Sequence, residues 1–208
     1  MDDATLRSEM IEQQLKSRGI RDPAVLQAMA EIERHRFIPE ENWDLAYRDG
    51  PVAIGEGQTI SQPYIVALMT AELNVSPGMR VLEVGTGSGY QTAVLDRLDV
   101  HLHSIEVRPK LLETARATLA QHCSSNIHTH LGSGFDGLPD HAPFDRIIVT
   151  AAPKAVPIAL TEQLKIGGVM LIPVGERQRQ TLFKIERTPT GVTQKPLIPV
   201  LFVPMTAD

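Results

Sequence analysis

Apolar residues near the N-terminus recur at helical spacing. Leu6, Met10, Ile11 and Leu15 predict a helix over residues 4–18 that stops at Gly19. Asp22-Pro23 reads as a cap followed by proline in the first helical position. It opens a second helix that buries Val25, Leu26, Met29 and Ile32 and ends no later than Pro39. Residues 50–60 hold Gly50, Gly55 and Gly57 and predict an irregular segment, followed by a helix over 63–73. From residue 80 the period switches back and forth. Strands are expected near 80–84, 101–106, 126–131, 144–150 and 168–174, with helices near 88–98, 109–121 and 155–165. Such alternation predicts parallel strands joined by right-handed crossovers. Residues 180–187 and 197–203 read as two further strands around the turn at Pro189-Thr190-Gly191. The predicted fold class is α/β: a doubly wound, mostly parallel sheet with helices on both faces, extra N-terminal helices and an antiparallel C-terminal edge. No internal repeat or long linker divides the chain, so residues 1–208 are expected to form a single domain.

Composition narrows the partners. The chain is 42% apolar but only 4% aromatic, so its core must be built from Leu, Ile, Val and Ala. A formal net charge of −5 provides no positive field for nucleic acid or an anionic membrane, and neither is expected as a partner. The N-terminus lacks the basic start and apolar run of a signal peptide, no stretch reaches membrane-spanning length, and Cys123 is the one cysteine. A cytoplasmic protein is expected. Histidines fall at 35, 101, 103, 122, 128, 130 and 141, none forming an H-x-x-x-H pair. His101/His103 and His128/His130 alternate at strand period. We read each pair as one solvated or partly packed strand face and expect no metal, because no acidic or thiol ligand joins them at a recognised spacing.

The strongest motif is Val81-Leu82-Glu83-Val84-Gly85-Thr86-Gly87-Ser88-Gly89-Tyr90, an apolar strand that runs into three alternate glycines and then a helix. Without side chains the backbone can turn sharply and a ligand can lie against it. The G-x-G-x-G spacing differs from the G-x-G-x-x-G that seats a pyrophosphate, which favours a ligand without phosphates. Glu106 ends the next strand, 21 residues after Gly85, where a carboxylate can accept hydrogen bonds from both hydroxyls of a ribose.

These residues resemble the class I S-adenosylmethionine-dependent methyltransferases, whose Rossmann-like fold carries an acid two positions before the glycine motif, here Glu83. Gln58-Thr59-Ile60-Ser61-Gln62-Pro63, the block from Glu83 to Ala93, and Leu164 to Gly175 are similar to protein-L-isoaspartate O-methyltransferases. The resemblance implies S-adenosyl-L-methionine as cofactor, S-adenosyl-L-homocysteine as its product and no metal. It places Gln58, Thr59 and Ile60 along the cofactor, Glu83, Gly85 and Gly87 at its amino-acid end, Glu106 and Val107 at its ribose, and Ser133-Gly134 at its adenine. Ser133 stands where the family usually shows Asp. Thr206 resembles a C-terminal threonine near the cofactor.

The resemblance also names Ser61 as the catalytic residue; from spacing alone Ser61 reads as the cap of the following helix. An isoaspartyl carboxylate, with a pKa of about 4, is ionised at neutral pH and needs no general base. The implied function is methylation of isoaspartyl residues in damaged peptides and proteins by a monomer, a repair reaction, with residues 1–60 contributing to the substrate site. A class I methyltransferase for RNA or a small metabolite, a nicotinamide-dependent oxidoreductase and a non-enzymatic cofactor-binding module remain as alternatives.

Overall fold

The computed structural model describes residues 2–123, 126–176 and 178–207. Its first helix, α1 (Asp3–Glu9), starts where the Asp2 carboxylate accepts the Thr5 N–H at 2.8 Å. It ends sooner than the periodicity predicts. The chain widens over Met10–Leu15 and tightens over Lys16–Arg18 before Gly19 turns left-handed with φ 93°. Met10, Ile11 and Leu15 of the wide turn are all buried in the core. α2 (Pro23–Glu31) is capped as predicted, with the Asp22 carboxylate accepting from the Ala24 and Val25 N–H groups. Short 3₁₀ turns at Arg34–Phe37 and Glu40–Leu45 follow.

Residues 50–60 are more regular than their glycines suggest. β1 (Val52–Gly55) and β2 (Gln58–Ile60) pair antiparallel around a turn at Glu56-Gly57. The left-handed conformations of Gly55, Glu56 and Gly57 make the turn, so the glycines close a hairpin where an irregular loop was expected. α3 (Pro63–Leu73) comes next, and the alternating part then runs β3 (Arg80–Val84), α4 (Tyr90–Asp96), β4 (His101–Glu106), α5 (Pro109–His122), β5 (Ile127–Leu131), β6 (Phe144–Val149), α6 (Ile158–Glu162) and β7 (Leu164–Glu176). Pro157 sits just before α6 and β7 begins directly after it, so that helix is half the predicted length.

The seven-stranded sheet has the order β5-β4-β3-β6-β7, continued by β8 (Arg179–Thr188) and β9 (Gly191–Val200). β3 to β7 are parallel; β8 and β9 run antiparallel. The last strand therefore lies at 191–200, before the predicted 197–203. It is an edge strand with mostly exposed side chains, so its pairing comes from backbone bonds to β8 and leaves little apolar alternation to read. The faces are sealed unequally. α2 to α5 share a core with Val81, Leu102, Ile148 and Leu171 on one face. On the other, Leu82, Val84, Ile105 and Ile147 pack with Phe144 and with Leu160 of α6.

Strand order reverses beside β3, which has β4 on one side and β6 on the other, and this opens a crevice at the carboxyl ends. Residues 201–206 return to it. The Ala152 N–H donates to the Val203 carbonyl at 2.8 Å and the Met205 N–H donates to the Ala152 carbonyl at 2.9 Å. Buried Gln180 anchors the same tail, its amide accepting the Phe202 N–H at 2.6 Å and donating to the Phe202 carbonyl at 3.0 Å. Gln180→Ala is expected to lower stability by about 1–3 kcal/mol in urea denaturation, the cost of leaving buried backbone groups unpaired. An unchanged midpoint would show that water replaces the clamp.

Candidate active site

The crevice opens into a pocket at the carboxyl ends of the strands. Gln58, Thr59, Ile60 and Ser61 line it from β2 and the residue after it, Gly85 and Gly87 from the turn after β3, and Glu106 and Val107 from the end of β4. Gly134, after β5, and Thr206, in the tail, complete the predicted residues on its wall. Thr150, Ala151 and Val203 to Met205 also line it and were not foreseen. Thr150 and Ala151 carried a usable signal, since they follow a predicted strand at the sheet's carboxyl edge.

Glu106 is 6% exposed and fastens the turn. Its Oε2 accepts the Gly87 N–H at 2.9 Å, and Oε1 accepts the Val107 and Arg108 N–H groups, each at 3.0 Å. A carboxylate has about four acceptor sites, so three amides leave capacity for a ligand hydroxyl. Gly85 is left-handed with φ 98°, and a Cβ there would lie 2.4 Å from Thr150 Oγ1. That hydroxyl donates to the Gly85 carbonyl at 2.8 Å and the Val84 carbonyl at 3.1 Å, so Gly85 is required by space as well as by conformation.

Ser61 does not cap α3. The N-cap is Gln62, whose side chain makes no capping bond. What fixes Ser61 is Arg34, fully buried, whose Nη2 donates to the Ser61 carbonyl at 2.7 Å while Nε donates to the Ala46 carbonyl at 2.7 Å. The guanidinium carbon lies 4.8 Å from the centroid of the Tyr90 ring, itself on the pocket wall. Burial pulls Arg34 down to about 10, partly offset by Tyr90, so it stays charged at neutral pH. Sequence reading missed it because the run Glu31 to Arg36 has the look of a solvated charged stretch.

Comparison with known proteins agrees with this geometry. The family model for protein-L-isoaspartate(D-aspartate) O-methyltransferase matches residues 5–208. The chain belongs to that family. Proteins named protein-L-isoaspartate O-methyltransferase from Roseiflexus sp. and Gloeobacter violaceus are 49% and 45% identical to it, covering 99% and 96% of this chain and 94% and 98% of their own lengths. A solved structure of that name superposes with a TM-score of 0.87 at 28% identity, covering 95% of this chain and 65% of the other. A Plasmodium falciparum structure, described as this enzyme in complex with S-adenosyl-L-homocysteine, gives 0.83 at 27% identity, covering 97% and 99%.

Two residues that the family resemblance assigned to the cofactor do not line the pocket. Ser133 Oγ accepts the Phe135 N–H at 3.3 Å and closes a local turn, while Gly134 reaches the wall; a Cβ on Gly134 would come within 2.5 Å of Val84 Cγ1. Glu83 is fully buried beneath the glycine turn because strand alternation points it at α4 rather than along the crevice. Its Oε2 accepts the Thr92 and Ser104 hydroxyls, both at 2.6 Å, and its Oε1 has no hydrogen-bond partner among the described residues. Burial raises Glu83 to about 7; the two hydroxyls oppose the rise and Glu106 adds to it.

Because the folded state holds the Glu83 proton more tightly than the unfolded chain, its contribution to stability is fully present below about pH 4.5 and is lost as pH rises through about 7. Glu83→Gln keeps an acceptor for both hydroxyls and carries no charge. The variant should lack this decline, with a gain over the parent above pH 7 on the order of 3 kcal/mol. Urea denaturation of both proteins across that pH range checks it; parallel pH profiles would show that Glu83 ionises without cost.

Proposed function

We propose that this chain transfers the methyl group of S-adenosyl-L-methionine to the free carboxylate of L-isoaspartyl residues in damaged peptides and proteins. The observation that carries the reading is that Ser61 and Glu106 face one pocket in a chain of this family. The residues present fit the cofactor: a buried carboxylate with spare acceptor capacity, glycines where a Cβ would intrude, and apolar Val66, Leu111 and Met205 on the wall. When bound, S-adenosyl-L-methionine supplies a methyl group on a sulfonium cation.

In our reading Glu106 accepts a ribose hydroxyl, Gly85 and Gly87 let the backbone approach the amino-acid end, and Gln58, Thr59, Ile60, Val107, Gly134 and Thr206 form the rest of the cradle. Ser61 is the catalytic residue. Its hydroxyl orients the acceptor carboxylate, and Arg34, acting through the Ser61 carbonyl, sets where that hydroxyl stands. No proton has to be removed, since a carboxylate of pKa about 4 is already ionised. The apolar wall keeps water out and favours meeting of cation and anion, whose charges cancel during transfer. The resulting ester can close to a succinimide that partly reopens as normal aspartate, which makes the reaction a repair. We assign residues 1–208 to one domain, with residues 1–60 contributing to the substrate site, acting as a cytoplasmic monomer without nucleic-acid or membrane partners. The net charge of −5 supports this, and among the described residues no helix is long and apolar enough to cross a membrane.

Paired peptides that differ only in isoaspartyl against aspartyl linkage test the reaction: transfer to the first alone is expected, and equal transfer or none would overturn the reading. Ser61→Ala should reduce turnover about tenfold or more, with calorimetric affinity for S-adenosyl-L-homocysteine nearly unchanged, since the hydroxyl serves the acceptor. Intact turnover would remove Ser61 from catalysis. Glu106→Ala should weaken S-adenosyl-L-homocysteine binding by about 1.5–3 kcal/mol, the range for hydrogen bonds to a charged group. Unchanged affinity would mean that Glu106 only braces the turn.

A further inference from the structure

The sheet face that carries α6 gathers histidines that the sequence keeps apart. His103 on β4 lies in register with His128 on β5, and His130 falls two residues further along the same face. The 3₁₀ turn Pro139–His141 brings His141 across them. Ring centroids of His103 stand 4.4 Å from His141, 5.3 Å from His130 and 5.1 Å from His128, and His130 is 4.9 Å from His141. The ligand nitrogens of His103, His130 and His141 all lie within 4.8 Å of one another, and His103 Nδ1 is 3.1 Å from His130 Nε2. Each of the three side chains is half-buried, and none lines the active-site pocket. The histidine pairs lie on a partly packed strand face as expected, and a further imidazole, His141, reaches it from a connection with no periodicity to read.

We propose that His103, His130 and His141 form a binding site for a first-row transition-metal dication of the Zn²⁺ class, separate from the methyl-transfer pocket. Tetrahedral coordination at about 2.0–2.1 Å sets ligand nitrogens roughly 3.3 Å apart, a spacing that His103 and His130 already approach, with the His141 nitrogen within 4.8 Å of both. Imidazoles without a carboxylate select borderline cations over Mg²⁺ or Ca²⁺, which require oxygen ligands. His128 is exposed beside His103 and leaves the fourth position to itself or to water. Charge sets a limit on affinity: Arg80, bonded to the His141 carbonyl, adds a nearby positive charge. A bound ion would join edge strand β5, its neighbour β4 and the connection that runs from Gly134 at the pocket to His141, and so would act as a staple.

Titration of the whole chain with ZnCl₂ by calorimetry, and with CoCl₂ by visible absorption, tests this. One ion per chain is expected, with the intense visible bands of four-coordinate Co²⁺, a Zn²⁺-dependent rise in melting temperature, and no rise with Mg²⁺ or Ca²⁺. His141→Ala and His130→Ala should each weaken Zn²⁺ binding about tenfold or more, since losing even an outer-shell partner of a ligand costs that much, while His101→Ala should not. Methyl transfer by each variant reports that it folds. Absence of stoichiometric binding, binding that survives both substitutions, or an equal response to Ca²⁺ would overturn the site.

Discussion

The Glu106 carboxylate, with its three backbone N–H bonds, is the constraint on which the site depends. It ties the first residues after β4 to Gly87 in the turn after β3, so the carboxyl ends of two neighbouring parallel strands are held as one rim. Those bonds are available because β3 and β4 are paired in register up to Val84 and Ile105, which delivers both chain segments at the same height. From there the local geometry follows. The turn needs left-handed backbone at Gly85, Gly87 and Gly89, and Thr150 at the end of β6 closes it from the other side by bonding the carbonyls of Val84 and Gly85. The same carboxylate that orders the turn is the group best placed to meet a ligand.

The N-terminal part contributes the substrate side of the pocket through a different device. Arg34 is buried at full depth and donates to carbonyls twelve and twenty-seven residues further along the chain, those of Ala46 and Ser61. A buried charge of this kind is costly unless bonded, and here its bonds join the segment after α2 to the segment before α3. The result is a serine positioned by its own carbonyl rather than by its hydroxyl, which leaves the hydroxyl free to act on an acceptor.

Unequal covering of the sheet explains where chemistry can accumulate outside the pocket. α2 to α5 seal one face, and the β4–β5 end of the other is covered by the residue 132–143 connection and its short 3₁₀ turn. Polar side chains persist in such a half-covered region because they remain partly solvated. Histidine suits it, being able to stack, to share hydrogen bonds and to change charge within a short distance of neutral pH.

The sequence by itself determined the alternating core of the fold. The strands at 80–84 and 101–106 and the helix at 63–73 fall where the apolar periodicity places them, because buried parallel strands and a helix opened by proline leave their spacing in the residues. The glycine motif and Glu106 were legible for the same reason: strand, turn and acid follow one another locally. The tertiary structure decided what local spacing cannot encode. It placed β9 through its pairing with β8 and turned Glu83 away from the crevice by strand alternation. It also withdrew the cap role from Ser61 and set Arg34 behind it, and brought His141 to a pair of strands from which it is separated by a connection without period. Each of these is a long-range contact whose energy lies in groups distant along the chain, so no window of the sequence contains both partners.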